Sequence, residues 1–217
     1  MNNSLFFPPL KRQKLSNYHN QNNTFYADYL KNYEKVKEDC QERCVYCDAI
    51  EDECGGDNFS LDHYRPKKIF VNKFNGILIK HPYNLYLSCQ KCNVLKTSDW
   101  HGCKNYSNGY TYLGNQGYID RFRHNTRDFL KVSDNGDIIA LKDPISYMVK
   151  KLCLNRPNRS YIRLFRMYEA KKSRLENIVG MCIDNIIDKS LNGSLDPVDA
   201  LRQIEYIRKI QAKLSAL

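Results

Sequence analysis

Two Cys-x-x-Cys pairs constrain the fold of this chain more than any other feature of its sequence. The first pair is Cys44 and Cys47, and the second is Cys89 and Cys92. Four thiolates in a tetrahedral array suit Zn²⁺, and such sites are usually structural because no coordination position stays open for water. A redox role would instead predict a single pair in a thioredoxin-like βαβ pattern. We therefore expect a structural Zn²⁺ that ties down the segment between the two pairs.

Length, charge and cysteine count limit the kind of protein that this chain can be. Its 217 residues are enough for one domain, or a small domain with an extension, around a real core. The nine cysteines are an odd number, and the N-terminus lacks a secretory signal, which predicts a cytoplasmic protein without a disulfide framework. The sequence contains no apolar run of about 18 residues, so we expect no membrane span. The net charge of +10 favours a polyanionic partner, nucleic acid first.

The hydrophobic pattern predicts an α+β fold in three parts. Residues 1–22 are polar and basic, and we expect a flexible N-terminal arm. Residues 23–128 are expected to form the zinc-bound domain, which begins with a helix over 25–42 capped by Thr24. Residues 129–217 are expected to form a hairpin and a helical C-terminal region.

Shorter elements follow from turn and breaker residues. Pro66 ends or bends a strand, and Asn135-Gly136 is a typical hairpin turn. The predicted elements are a strand at 59–63, a second strand within 67–82, a short helix over 92–97, a hairpin at 129–141, and helices at 160–187 and 197–214.

A candidate hydrolytic site lies between and beside the cysteine pairs. A phosphodiester hydrolase needs a base with a near-neutral pKa, and His63 is a candidate. It also needs a divalent ion with oxygen ligands, which Asp62 and Asn93 offer, and such an oxygen-rich pair favours Mg²⁺ or Mn²⁺. Adjacent side chains on a regular strand point to opposite faces. Asp62 and His63 can therefore share a site only if the strand is irregular at its end.

Basic residues follow the candidate base and the second cysteine pair. Arg65, Lys67 and Lys68 come just after His63, and Lys96 lies four residues after Cys92. Guanidinium and ammonium groups donate hydrogen bonds to phosphate oxygens. We therefore expect Arg65, Lys67, Lys68 and Lys96 to contact nucleic acid.

The order and spacing of these residues resemble the motif of the HNH endonucleases. This family is also called the ββα-metal or His-Me finger class, and the resemblance is to its four-cysteine, zinc-bound form. It covers residues 44–96, about a quarter of the chain. It implies a ββα-metal core stapled by the zinc site, and an endonuclease that hydrolyses phosphodiester bonds of nucleic acid, DNA favoured. The residues that carry it are Asp62-His63, Tyr83-Asn84-Leu85 and Cys89-x-x-Cys92-Asn93-x-x-Lys96.

The resemblance also implies roles for individual residues. His63 corresponds to the general base, and Asn84 to the central asparagine that holds the loop and helps to position the base. Asp62 and Asn93 correspond to the ligands of a catalytic Mg²⁺ or Mn²⁺. Because Asn93 stands where the family often has its final histidine, the preferred metal stays open.

A second resemblance rests on Arg65-Pro66-Lys67 and Asn155-Arg156-Pro157. This layout is similar to HNH proteins of bacterial anti-phage operons, namely the PtuB type of Septu systems and those associated with retrons. It implies an antiviral role with a PtuA-like ATPase partner. Two alternatives stay open: a nuclease of the same family that cleaves RNA such as tRNA, and a zinc-stabilised binding module without catalysis.

Overall fold

Three two-stranded antiparallel sheets and seven α-helices form the part of the chain that the computed structural model describes, residues 5–20 and 29–215. This mixture of helices and small antiparallel sheets is compatible with the predicted α+β class. The strands are β1 (Ser60–His63), β2 (Leu85–Ser88), β3 (Tyr112–Leu113), β4 (Gln116–Gly117), β5 (Leu130–Val132) and β6 (Ile138–Ala140). The helices are α1 (Tyr33–Asp39), α2 (Lys67–Phe70), α3 (Ile77–Lys80), α4 (Gln90–Lys96), α5 (Ile145–Lys151), α6 (Pro157–Leu191) and α7 (Pro197–Ser215).

The strands β1 and β2 and the helix α4 form the frame on which the candidate site is built. The two strands pair in a regular register, with Ser60 opposite Ser88 and His63 opposite Leu85. The helix α4 begins directly after β2 and lies against β1. Leu61, whose cross-strand partner is Leu87, is buried with it in the main hydrophobic core. The strand at 59–63 and the helix after Cys89 were both predicted correctly.

The predicted second strand within residues 67–82 is wrong. This segment instead contains α2, a 3-10 turn and α3, and the strand that pairs with β1 is β2. Three consecutive residues, Phe74, Asn75 and Gly76, have positive φ angles, which no extended strand can contain. The sequence did not reveal β2 because its four residues are all buried and show no polar alternation.

The predicted flexible N-terminal arm is also wrong for residues 5–20. Phe7, Leu10 and Tyr18 are buried members of the hydrophobic core. Arg12 forms an ion pair with Asp39 at 3.2 Å, and the side chain of Asp39 is fully buried. The segment is therefore part of the first folded unit.

Only part of the predicted first helix can be compared with the structure. Thr24 and the predicted start of the helix lie outside the described residues. The helix α1 ends at Asp39 rather than at residue 42, because Gln41 and Glu42 have positive φ angles of 52° and 57°.

The predicted hairpin is confirmed as β5 and β6, and it packs against the first residues of α6. Gly136 has a φ of +84°, and a Cβ there would lie 2.0 Å from the carbonyl oxygen of Ser160, so only glycine fits. The buried Arg163 donates to the carbonyl oxygens of Gly136 at 2.6 Å and Leu154 at 2.8 Å. The hairpin thus belongs to a first unit, Met1–Leu164, and the predicted boundary after residue 128 lies too early.

The second unit, Phe165–Leu217, consists of the remainder of α6 and of α7. Both long helices were predicted. Many of their large apolar side chains are exposed, among them Leu175, Met181 and Tyr206. None of the described helices is both long and apolar enough to cross a membrane.

Candidate functional site

The structure brings the four predicted metal ligands together. The Sγ atoms of Cys44, Cys47, Cys89 and Cys92 all lie within 4.8 Å of one another, and all four side chains are buried. The Sγ atoms of Cys47 and Cys89 are 3.8 Å apart. A tetrahedral zinc with Zn–S bonds of about 2.3 Å requires sulfur atoms about 3.8 Å apart, so this set fits a metal ion such as zinc.

Two arginines, which no sequence motif marks as neighbours of the cysteines, lie beside this cluster. Arg159 donates to the Sγ atoms of Cys54 at 2.7 Å and Cys89 at 3.8 Å. Burial alone would lower the pKa of Arg159 and of Arg156, but the nearby thiols outweigh it and raise both pKa values. A divalent ion with four thiolates carries a net charge of −2, which two guanidinium groups offset. The sequence contains no signal for this contact, because Arg159 and Cys89 are 70 residues apart.

His63 is half-buried at the end of β1, and a backbone carbonyl orients its ring. Its Nε2 lies 3.0 Å from the carbonyl oxygen of Ile79 in α3. A carbonyl only accepts hydrogen bonds, so Nε2 carries the proton and Nδ1 is the unprotonated nitrogen of the neutral ring. Burial is the main cause that lowers the pKa of His63. The hydrogen bond to Ile79 and the charge of Asp62 raise this pKa, the charges of Lys67 and Lys96 lower it, and the net shift is downward. His63 is therefore neutral at pH 7, as a general base must be.

Asn84 holds the ends of the segment between β1 and β2. Its side chain is 5% exposed, and its Oδ1 accepts a hydrogen bond from the backbone nitrogen of Arg65 at 2.9 Å. Its Nδ2 donates to the carbonyl oxygens of Arg65 at 3.1 Å and Leu78 at 2.8 Å. Leu78 immediately precedes Ile79, whose carbonyl orients His63. Asn84 thus supports the backbone that positions the imidazole.

Asp62 lies on the other face of the regular strand β1 and faces a buried lysine. It is 6% exposed, and its Oδ2 accepts from the hydroxyl of Tyr46 at 2.5 Å and pairs with the Nζ of Lys96 at 2.9 Å. Lys96 is 0% exposed and also donates to the carbonyl oxygen of His63 at 3.1 Å. The prediction that Lys96 contacts nucleic acid is therefore wrong, because its ammonium group is enclosed within the protein.

The arrangement gives no support to the predicted ligand pair for Mg²⁺ or Mn²⁺. The Oδ2 of Asp62 already pairs with the Nζ of Lys96, which offsets the charge of this carboxylate, and the Nδ2 of Asn93 donates to the Oγ of Ser60 at 2.9 Å. The sequence places no further acidic residue between Asp62 and Asp99. Among the described residues, the four cysteines are the one group of three or more His, Cys, Asp or Glu side chains placed to share an ion.

The basic residues after His63 separate into buried and exposed members. Arg65 is buried and donates to the carbonyl oxygens of Cys103 at 3.2 Å and Gly109 at 2.5 Å, so its predicted contact with nucleic acid is wrong. Lys67 and Lys68 are exposed at the start of α2 and can reach a phosphate.

The segment that carries these lysines has a strong charge bias. Between His63 and Ser98 the sequence has seven lysine and arginine residues and no aspartate or glutamate. With the two buried cations removed, five lysines that are exposed or half-buried remain to face a polyanion. They are Lys67, Lys68, Lys73, Lys80 and Lys91.

Comparison of the chain with protein-family models, with curated protein sequences and with solved structures finds no significant match. The assignment of a function to this site therefore depends on its own residues and geometry.

Proposed function

We propose that the first unit is an HNH-type endonuclease that hydrolyses phosphodiester bonds of nucleic acid, DNA favoured, on a frame held by a structural Zn²⁺. The observation that carries this proposal is the placement of His63: the carbonyl of Ile79 orients its ring at the end of β1, and burial lowers its pKa. The lysine-rich segment after it supports a phosphate-containing substrate. The antiparallel strand pair with α4 against β1 is compatible with a ββα core.

The proposed step uses the chain's own groups. The Nδ1 of His63 takes a proton from a water molecule, whose oxygen forms a bond to phosphorus. The bond from phosphorus to the 3′ oxygen breaks, and this oxygen takes a proton from solvent, which leaves 5′-phosphate and 3′-hydroxyl ends. Lys67 and Lys68 hold non-bridging phosphate oxygens by charge and hydrogen bonding. The family resemblance implies a divalent ion at Asp62 and Asn93, but the Oδ2 of Asp62 already pairs with Lys96, and the step does not depend on such an ion.

Replacing the proposed base tests this function. We expect His63→Ala to lower the rate of plasmid nicking by about 10²- to 10⁴-fold, the usual contribution of a general base. The assay uses zinc-loaded protein in buffer free of other metals, with and without added Mg²⁺ or Mn²⁺, on supercoiled DNA and on tRNA. His81→Ala is the matched control, because His81 lies half-buried on the same segment. Nicking by His63→Ala at the wild-type rate and with normal zinc content would show that His63 is not the base.

The rate of hydrolysis should depend on pH in a way that reports the environment of His63. Burial lowers its pKa from the ordinary value of 6.5, so the ring stays unprotonated at pH values where a free histidine is charged. The rate should rise with pH through this lowered pKa and then level off, with its half-maximal point below pH 6.5. A kcat/KM profile measures this, and circular dichroism at each pH checks that the fold persists, since acid also protonates thiolate ligands. A half-maximal point above pH 6.5 would contradict the assignment.

We further propose that the second unit binds a partner protein, in keeping with the resemblance to anti-phage proteins that act with a PtuA-like ATPase. The exposed apolar side chains of α6 and α7 support a protein contact there. Nicking should then increase when a PtuA-like ATPase is added. No increase, and no co-elution of the two proteins, would contradict this part of the proposal.

A further inference from the structure

We propose two roles for Lys96. Its ammonium group balances the charge of Asp62 in place of a divalent ion, and its contact with the backbone positions His63. This inference rests on the proposed function only for its effect on hydrolysis. The pairing of Lys96 with Asp62, which is the ionic part of the proposal, depends only on the geometry around Asp62.

The carboxylate of Asp62 and the ammonium of Lys96 are both buried, and each has partners that stabilise its charge. An ionised carboxylate that is 6% exposed needs a cation and hydrogen-bond donors close by. Lys96 supplies the cation at 2.9 Å, and the hydroxyl of Tyr46 supplies a further donor at 2.5 Å. The ammonium group lies 5.9 Å from the ring centre of Tyr46 and 5.8 Å from that of Tyr118, distances at which aromatic rings attract a cation.

The same contacts disfavour a hydrated divalent ion at the Oδ2 of Asp62. Mg²⁺ binds carboxylate oxygens at about 2.0–2.1 Å and usually keeps several of its water molecules. An ion at that distance from Asp62 would meet the ammonium of Lys96 at close range, where two positive charges repel each other strongly. The enclosure of both side chains also leaves little space for coordinated water. Asp62 therefore forms an ion pair with Lys96 and does not act as a metal ligand.

Lys96 also connects the metal frame to the proposed base. It lies at the end of α4, the helix that Cys89 caps and that contains Cys92. Asn93, three residues before it, bonds to Ser60, and Lys96 itself bonds to the carbonyl oxygen of His63. The helix thus holds β1 at both ends, and the second contact fixes the backbone of the residue that carries the imidazole. Lys96 is a positioning residue, because it acts on His63 and does not reach substrate.

Binding of Mn²⁺, followed by electron paramagnetic resonance, tests the ionic part. Zinc-loaded wild type and Asp62→Asn should give Mn²⁺ titrations that agree within about twofold. Because Asp62→Asn leaves the charge of Lys96 unpaired and can unfold the chain, the double variant Asp62→Asn/Lys96→Met, which buries no unpaired charge, is titrated in parallel. A Mn²⁺ site that is present in the wild type and lost in a folded variant would overturn the proposal.

Steady-state kinetics of the double variant test the positioning part. A slight misplacement of a catalytic group can cost up to about 10²-fold in rate, so we expect kcat to fall by about 10-fold or more while KM changes by less than twofold. A raised KM with an unchanged kcat would instead indicate a phosphate contact and would overturn the positioning role. If the wild type shows no hydrolysis, the nuclease proposal fails, but the Mn²⁺ titration still decides the role of Lys96 at Asp62.

Discussion

Removing the metal from the four-cysteine site should unfold the first unit. A structural zinc contributes about 10–16 kcal/mol in small zinc-binding domains, whereas the whole stability of a native domain is about 5–15 kcal/mol. The four buried thiols join the turn at Cys44–Cys47 to the start of α4, and β1 and β2 lie between them in the sequence. Without the ion, these thiols and the nearby arginines would remain as buried polar groups with no common partner. The loss is therefore expected to exceed the stability that the remaining core supplies.

Thermal unfolding followed by circular dichroism, before and after chelation, measures this effect. Cys92→Ser should reproduce it, since serine is a poor zinc ligand at the same position. Cys153→Ser is the matched control, because Cys153 is an exposed free thiol in the same unit. A chelated protein that melts cooperatively at the temperature of the untreated protein would show that the cluster is not what holds the frame.

Local sequence patterns were sufficient to predict the structural features that depend on residues close together in the sequence. The spacing of Cys44, Cys47, Cys89 and Cys92 predicted a cluster that the structure contains. The Asn135-Gly136 pair likewise predicted the hairpin of β5 and β6, because turn residues are encoded where the turn occurs. Residues 133–137 join the two strands, and Gly136 among them has a positive φ.

Charged residues were harder to place, because their burial depends on partners that are distant in sequence. Arg65 reaches Gly109, 44 residues further on, and Lys96 reaches back 34 residues to Asp62. A lysine or arginine in a basic segment is usually exposed, and the sequence alone does not reveal the carbonyl or carboxylate that satisfies a buried one. The prediction therefore assigned nucleic-acid contacts to two cations, Arg65 and Lys96, that have partners within the protein.

The N-terminal segment illustrates the same limit for apolar residues. Phe7, Leu10 and Tyr18 follow no helical or strand period, and they stand in a segment of prolines and mostly polar residues, so the sequence predicted an arm. Each of them nevertheless fills part of the core, because irregular backbone can bury side chains at any spacing.

Replacing Asn84 by alanine should both destabilise the first unit and impair hydrolysis. The amide makes three hydrogen bonds to backbone groups, and the substitution leaves the nitrogen and carbonyl of Arg65 and the carbonyl of Leu78 without this partner. A buried polar group without a partner costs about 1–3 kcal/mol, so three such groups predict a loss of about 3 kcal/mol or more. Because the freed backbone includes the residue before Ile79, the carbonyl that orients His63 should lose its fixed position.

Two measurements on the Asn84→Ala protein separate these effects. Denaturant unfolding gives the free-energy loss, and Asn58→Ala is the matched control, since Asn58 is exposed in the same unit. Nicking rates are then compared at a temperature where the variant remains folded and retains zinc. If Asn84 supports the base, kcat falls there as well, by up to about 10²-fold for a misplaced catalytic group. A folded Asn84→Ala protein with the wild-type kcat would show that Asn84 contributes to stability only. The orientation of His63 would then not depend on the hydrogen bonds of Asn84.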